Sequence, residues 1–468
     1  MMYAGAIAEA IGGKLIGNPD AEFEYVVTDS RLITEENASK SIFVAIVGEV
    51  FDGHGYIGAV VEKGVKVVLC SKVPDTLCDS VILVENTLEG LGKISSVHRS
   101  GFDIPVCAVT GSVGKTSTKE MIAAVLSNTF NILKTEKNFN NEIGLPMTLL
   151  RMNESHTAAV VEMGMRGLGQ IEYLCNFALP TIGVVTNIGV AHMELLGSRE
   201  NIFKAKLEIA SKLPDGAPLV LWGDDEFLSD KDAVLKEAAK YGKNVEVVYF
   251  GTGENCDFRA VNIEVGEDSL NSFDVVTPAE NGRVSLKVPG RHNVINAVAA
   301  IAVAMKCGAT LDSCINALES YYGDGIRQNI IKKDGITIID DTYNAGPESM
   351  KASLSVLCAM KNPGRKIAVL GDMLELGKTS EVSHREIGRF AAEQGVDVLI
   401  IAGNEMLYAS EEFENVAKSK DLKIYAINPE DSGIAAKEAL ALVKEGDAVL
   451  VKGSHSMRMG VVTKALTE

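Results

Sequence analysis

Residues 104–120 read Ile-Pro-Val-Cys-Ala-Val-Thr-Gly-Ser-Val-Gly-Lys-Thr-Ser-Thr-Lys-Glu. A β-branched apolar run passes into a glycine loop and then into a helix-forming stretch that continues to about Thr129. In that context glycines let backbone N–H groups wrap a phosphate, a lysine neutralises β/γ-phosphate charge, and a threonine hydroxyl serves Mg²⁺. The full pattern has a glycine where Val109 stands, so this is a shortened variant. The bland alternative is a glycine turn with an incidental lysine, but strand, loop, Gly-Lys-Thr and helix coincide as the motif requires. Gly111, Ser112, Gly114, Lys115, Thr116 and Ser117 are therefore the candidate nucleotide-binding residues.

The motif sits inside an α/β alternation. Strand-like runs follow at 157–164, 181–189 and 217–225, with helical stretches between, as in a parallel sheet. From about 244 to 288 short strands without long helices read as an antiparallel flap. Residues 1 to about 102 mix short strands and helices, with compact apolar runs at 43–48 and 65–70. After Gly323-Asp324-Gly325 a Rossmann-like block alternates strands with helices, without the G-x-G-x-x-G of a dinucleotide site. The expected architecture is α/β in three domains, over 1–102, 103–324 and 325–468. They are an N-terminal α/β domain, a central P-loop ATPase-like parallel sheet with an antiparallel flap, and a C-terminal Rossmann-like domain. Length agrees, since 468 residues at roughly 150 per domain make about three domains.

Charge narrows the function. Lys plus Arg is 45 and Asp plus Glu is 63, a net charge of −18. An acidic surface repels phosphate backbones, so no nucleic-acid partner is expected. Anionic ligands must be met by local cations, metal ions or helix N-termini. The N-terminal stretch has no basic region and carries Glu9, which makes it a poor signal peptide. The apolar run Ala297–Met305 is too short to span a bilayer, so no membrane insertion is expected. The eight cysteines show no CxxC pair and read as reduced thiols of a cytoplasmic protein, with no zinc site.

Other residues gather around the loop motif. Glu162 closes a strand where ligands meet open α/β sheets, and could hold Mg²⁺ or be an ordinary strand-end glutamate. His192 also follows a strand, where packing or capping is the usual fate of a histidine. Lys204 and Lys206 begin a helix and by default are solvated. Arg291, His292, Asn293 and Asn296 lie at a helix start, where asparagine commonly caps. Asp340 and Asp341 end an apolar strand, placed to bind a cation or to cap a turn.

Together TGSVGKT (110–116) and GRHNVINAVAA (290–300) resemble the two ATP-binding signatures of the Mur ligase family. TDSR (28–31), FDGHGYI (51–57), FNNEIGLPMTLL (139–150), NIGVAHMELLGS (187–198), DDTYNAGPESM (340–350), LGDMLELG (370–377) and VLVKGSHSMRM (449–459) extend the resemblance over nearly the whole chain. They are most similar to the branch that joins D-alanyl-D-alanine to UDP-MurNAc-tripeptide.

The resemblance implies an ATP-dependent ligase of peptidoglycan precursor synthesis, cytoplasmic and monomeric, working through an acyl phosphate. Lys115 and Gly114 would cradle the β/γ-phosphates of ATP; Thr116 and Glu162 would hold a first Mg²⁺, and His192 a second. Lys206 matches the family's carbamylated lysine, a modification that turns a cation into an anion able to face a metal. Lys115, Lys206, His192 and Glu162 would carry the catalysis. Asn293 would contact adenine, Arg327 the γ-phosphate, and Asp341 would help hold the nucleotide. Asp29, Ser30 and Arg31 would receive the uridine diphosphate end. Asn140, Asn141 and Glu142, with Tyr343 and Asn344, would face substrate. One departure is Gly453-Ser454-His455, where the family commonly has an arginine in third place; Arg458 lies close by. The competing readings are another amide ligase of the Mur/folylpolyglutamate superfamily and a P-loop nucleotide switch. Neither accounts for all the motifs.

Overall fold

The computed structural model describes every residue except Glu49, Glu267, Asp268, Asp324, Ile326, Asn362 and Pro363. The expected boundary at 324/325 thus falls on a residue outside the described ones. The chain divides into two compact units. The first comprises residues 1–108, 131–164 and 171–181, and the second 109–130, 165–170 and 182–468.

In the first unit, β1 (Met2–Tyr3) pairs with β3 (Glu22–Phe23). A five-stranded sheet holds β2 (Lys14–Gly17), β4 (Tyr25–Val27), β5 (Ser41–Val44), β6 (Val67–Cys70) and β7 (Ser80–Leu83) in the order β2-β7-β6-β5-β4. Its pairings are parallel except for β2 against β7. β5 and β6 are buried at every position, because apolar clusters cover both faces of the sheet. The unit also contains the start of β8 (Val106–Thr110) and the parallel pair β9 (Ile132–Lys134) and β10 (Ala158–Glu162).

The second unit continues from the end of β8. Beside it run β11 (Ile182–Val185), β12 (Pro218–Trp222), β13 (Glu246–Gly251), β14 (Phe258–Val265), β15 (Leu270–Val276) and β16 (Asn281–Pro289), in that spatial order. The antiparallel part begins later than the sequence suggests. β13 is parallel to β12, and only β14, β15 and β16 pair antiparallel. The reason is the helix Lys231–Ala239 between β12 and β13, which supplies the crossover a parallel pair needs.

A six-stranded sheet follows, with β17 (Asn329–Lys333), β18 (Ile336–Asp341), β19 (Lys366–Gly371), β20 (Val398–Ala402), β21 (Tyr425–Ile427) and β22 (Ala448–Lys452) in the order β17-β18-β22-β19-β20-β21. Only β17 is antiparallel. Two apolar clusters sandwich this sheet, so its central strands read as unbroken aliphatic runs. The fold class is α/β with parallel sheets. Among the described residues no helix is long and apolar enough to cross a membrane.

Two local expectations are corrected. Lys204 and Lys206 lie in the last turn of the helix Arg199–Leu207, not at its start. Lys204 is exposed, but Lys206 is 1% exposed, because its side of the helix faces the interior. The helix Arg291–Lys306 is capped by Gly290 with φ 95°, not by an asparagine side chain. The eight cysteines are free. Burial pushes the thiols of Cys70, Cys256, Cys307 and Cys358 up to about 11 and Cys314 to about 12, which leaves these five poor nucleophiles.

Candidate functional site

The glycine loop leaves β8 at Thr110 and enters the helix Lys115–Leu126 at once. Gly111 has φ 149° and Gly114 φ 80°, conformations that side chains rarely adopt. The loop is pinned to the residues after β11. Ser112 N donates to Asn187 O at 3.1 Å, Val113 N to Asn187 Oδ1 at 3.0 Å, and Thr186 Oγ1 to Val113 O at 2.6 Å. Gly189 N donates to Ser112 Oγ at 2.9 Å. Lys115 folds back, its Nζ 2.7 Å from Gly111 O and 3.2 Å from Ser112 O. Loop amides, a helix N-terminus and an ammonium group thus share one place, which suits a polyphosphate.

A Cβ on Gly111 would meet Thr186 Oγ1 at 1.9 Å, and that hydroxyl is already committed to Val113 O. Gly111→Ala is therefore expected to displace the loop. Such overpacking costs about 1–3 kcal/mol, and nucleotide affinity should fall about tenfold or more. Calorimetric titration with ADP measures it.

The helix Arg291–Lys306 lies beside the loop helix. Thr118 Oγ1 donates to Asn296 Oδ1 at 3.1 Å, Asn296 Nδ2 to Asn293 Oδ1 at 3.1 Å, and Asn293 Nδ2 to Pro289 O at 2.7 Å. Asn293 and Asn296 are buried and form this relay between helices. Neighbouring His292 has its pKa lowered, chiefly by burial and against the pull of Asp341.

His192 has φ 62° and precedes the short helix Met193–Leu196. Its Nδ1 lies 2.9 Å from Glu375 Oε2. Burial holds its pKa below the usual imidazole value, and the charges of Lys206 and Lys115 push the same way, against Glu375. A neutral imidazole is the form that binds a metal. Lys115, His192 and Lys206 are therefore gathered within electrostatic reach in the second unit. The Glu348 carboxylate accepts from Val190 N at 3.1 Å.

The aspartate pair divides its roles. Asp340 Oδ1 caps the following turn by accepting from Thr342 N and Oγ1. Asp341 is 4% exposed, and its Oδ2 accepts from Lys452 Nζ at 2.5 Å and Ser353 Oγ at 2.6 Å. Lys452, itself 1% exposed, also donates to Asn344 O at 2.9 Å. Arg327 stacks 3.8 Å over the ring of Tyr343, and the exposed His455 lies near the same ring, 6.0 Å between ring centroids.

In the first unit, Glu162 is 3% exposed at the end of β10. Its Oε1 accepts from Asn140 Nδ2 at 2.7 Å, and its buried Oε2 has no hydrogen-bond partner among the described residues. Asn141 Oδ1 accepts from Gly144 N at 2.9 Å, just ahead of the helix Gly144–Leu149, and Glu142 is exposed. Arg31 turns back on Asp29, with Nη2 2.6 Å from Oδ2, and holds that carboxyl at about 2. Lys63 Nζ donates to Ser30 O at 3.1 Å. In the FDGHGYI turn, Asp52 and Ser71 grip His54 from its two ring nitrogens, at 2.5 and 2.9 Å. Phe51 and Tyr56 remain about half exposed, and Val50 is fully so.

Sequence reasoning missed Asn187, Glu348, Glu375 and Lys452 as individuals. All four stand inside motifs that were singled out, but nothing in their spacing says which distant residue each one meets.

The sequence profile of the Mur ligase middle domain matches residues 109–304, and that of the Mur ligase glutamate ligase domain matches residues 326–455. The chain is 35% identical to the UDP-N-acetylmuramoyl-tripeptide–D-alanyl-D-alanine ligase of Bacillus subtilis, covering 99% of this chain and 97% of the relative. Among solved structures, MurF from Acinetobacter baumannii superposes with a TM-score of 0.89 at 30% identity, covering 99% of this chain and 98% of that one. MurF ligase from Thermotoga maritima in complex with ADP gives 0.81 at 29% identity, covering 95% and 97%.

Proposed function

The chain belongs to the Mur ligase family, and from that premise we propose that it joins D-alanyl-D-alanine to UDP-MurNAc-tripeptide at the expense of ATP. The observation that carries the reading is Lys115 folded onto the glycine loop, with His192 within electrostatic reach of Lys115 and Lys206. The free carboxylate of the tripeptide attacks the γ-phosphorus of ATP, and ADP leaves. The amine of the dipeptide then attacks the acyl phosphate, and inorganic phosphate leaves from the tetrahedral intermediate. The products are UDP-MurNAc-pentapeptide, ADP and phosphate.

This chemistry brings two anions together, so cationic groups must be aimed at the charge on the transferring phosphoryl group. Lys115 and the amides of Gly111–Thr116 are placed to supply that field. Asn293 and Asp341 are assigned to the nucleotide, and Arg327, whose stacking on Tyr343 pre-orients its guanidinium, to the γ-phosphate. Asp29, Ser30 and Arg31 are assigned to the nucleotide end of the sugar substrate, where the exposed Tyr56 lies within electrostatic reach of Arg31. Asn140, Asn141 and Glu142 are assigned to its reacting end, and Tyr343 and Asn344 to the acceptor side.

Magnesium fits the residues present. In the first unit Glu162 offers a buried carboxylate oxygen with no hydrogen-bond partner among the described residues, and in the second unit Thr116 offers a hydroxyl. Among the described residues no cluster of three or more His, Cys, Asp or Glu side chains forms a closed cage. Magnesium is a hard cation commonly held by one or two protein oxygens and substrate phosphates. His192 would reach a second ion, and Lys206 as a carbamate would reinforce the site. When bound, the ions would polarise the phosphoryl oxygens and neutralise their developing charge.

The three functional blocks are 1–102 for the nucleotide-sugar end, 103–324 for ATP and 325–468 for closure and the dipeptide. The reaction is placed in the cytoplasm, where ATP and nucleotide sugars are available. Phosphate release is the test. It should require both UDP-MurNAc-tripeptide and D-alanyl-D-alanine, and give a product heavier by one dipeptide minus water. Release with another acceptor alone would move the chain to a different ligase of the superfamily.

A further inference from the structure

Loop 187–192 carries His192 and is held from two directions. Its near end belongs to the phosphate loop through Asn187 and Gly189. Its far end is met by two carboxylates that lie more than 150 positions later in the chain. Glu348 Oε1 accepts from Val190 N at 3.1 Å, and a Cβ on Gly189 would meet the same Oε1 at 2.6 Å. Glu375 Oε2 stands 2.9 Å from His192 Nδ1.

Both residues of that second contact are strained. His192 and Glu375 each have φ 62°, a left-handed conformation unfavourable for any side chain. Such strain persists only where the surroundings enforce it, and here the surroundings are specific. The segment before Glu375 is fastened three times: Asp372 Oδ1 accepts from Met406 N at 2.8 Å, His384 Nε2 from Met373 N at 3.1 Å, and Ser454 Oγ from Leu374 N at 2.9 Å. Next to it, Gly377 with φ 53° packs on Glu194, where a Cβ would come within 3.1 Å. Glu375 is thus presented to His192 by a rigid support, although more than half of its own side chain is exposed.

We propose that Glu348 and Glu375 are positioning residues. They hold loop 187–192 against the phosphate loop, and Glu375 orients the His192 ring so that Nε2 is directed to the phosphate and metal site. Carboxylates that orient a metal-facing imidazole in this way typically govern affinity or activity by 10–100-fold. The inference rests on the ligase reading for its catalytic consequence, but not for its binding consequence.

The test compares Glu375→Ala, Glu375→Gln and Glu348→Ala with the parent and with His192→Ala. Turnover should fall roughly 10–100-fold in Glu375→Ala, with KM for UDP-MurNAc-tripeptide unchanged and melting temperature preserved. Glu375→Gln, which keeps an oxygen beside Nδ1, should recover part of that loss. Binding of Mn²⁺ in the presence of ADP, followed by electron paramagnetic resonance, should weaken in parallel. Combined with His192→Ala, Glu375→Ala should add nothing further, because both act through one ring. Parent-like turnover and Mn²⁺ binding in Glu375→Ala would overturn the proposal. So would a loss confined to KM for the nucleotide-sugar peptide, or one that Glu375→Gln does not relieve. If the parent chain lacks ligase activity, the ligase reading fails, and the Mn²⁺–ADP titration still decides the positioning role.

Discussion

Lys206→Ala is expected to lose ligase turnover by about 100-fold or more, and added bicarbonate should not restore it. The residue is 1% exposed, at the end of a helix whose other lysine, Lys204, is in solvent. Burying an ammonium group is costly unless something specific is gained. As a cation, Lys206 joins Lys115 in depressing the His192 pKa and would repel a metal ion brought to that imidazole. As a carbamate its sign would reverse. It would then offer oxygen donors to Mg²⁺ and attract what the ammonium would exclude.

Bicarbonate labelled with ¹³C gives a direct reading. A carbamate carbon resonance should appear in the parent chain and be missing in Lys206→Ala. Parent protein stripped of carbon dioxide should lose activity and regain it with bicarbonate. Lys206→Met, which keeps the packing but cannot be carbamylated, should behave like the alanine variant. Full activity in either variant removes the assigned role.

Lys452→Met is expected to destabilise the second unit by about 3–5 kcal/mol. Lys452 and Asp341 are a buried ion pair, 1% and 4% exposed, with Oδ2 shared between the ammonium and Ser353 Oγ. Removing the cation leaves a buried carboxylate whose Oδ2 keeps, among the described residues, the Ser353 hydroxyl, which is the costly half of the exchange. At roughly 2 °C per kcal/mol for a body of this size, the melting temperature should drop by roughly 6–10 °C. Burial lowers the Lys452 pKa against the pull of Asp341, so in this pair desolvation is the larger influence on the lysine. It follows that replacing both partners, Lys452→Met with Asp341→Leu, should recover most of the stability. The double variant should still fail to ligate, since Asp341 is assigned to the nucleotide and Lys452 also fixes the carbonyl of Asn344. Differential scanning calorimetry and phosphate release, run on the parent and these two variants, separate the structural role from the functional one. A single variant that melts with the parent would show that the pair contributes little.

Much of the site is legible along the chain because it is local. Gly111, Gly114, Lys115 and Thr116 lie within one turn between a strand and a helix, and their backbone needs appear as residue types. Asp340 is legible in the same way, as a strand-end carboxylate two residues before the hydroxyl it accepts from. The antiparallel part is legible in kind but not in extent. Its first expected strand, β13, is parallel, because a helix rather than a turn precedes it. Lys206 is misjudged on local grounds, since a lysine on a polar helix is usually solvated and nothing nearby in the sequence announces its burial.

What the sequence determined by itself is the α/β class, the phosphate-binding loop and the family. These follow from hydrophobic periodicity, from glycine's freedom at positive φ, and from motifs read in order, all carried by residues close together in the chain. What only the tertiary structure decided is which charges meet. Asp341 turned to Lys452, His192 set against Glu375, Val190 held by Glu348, and Lys206 brought within reach of His192 are contacts between elements far apart in sequence. No local propensity encodes them. They depend on how the helices and loops pack at the ends of two parallel sheets, where burial sets whether each charge is masked by water or felt by its neighbours.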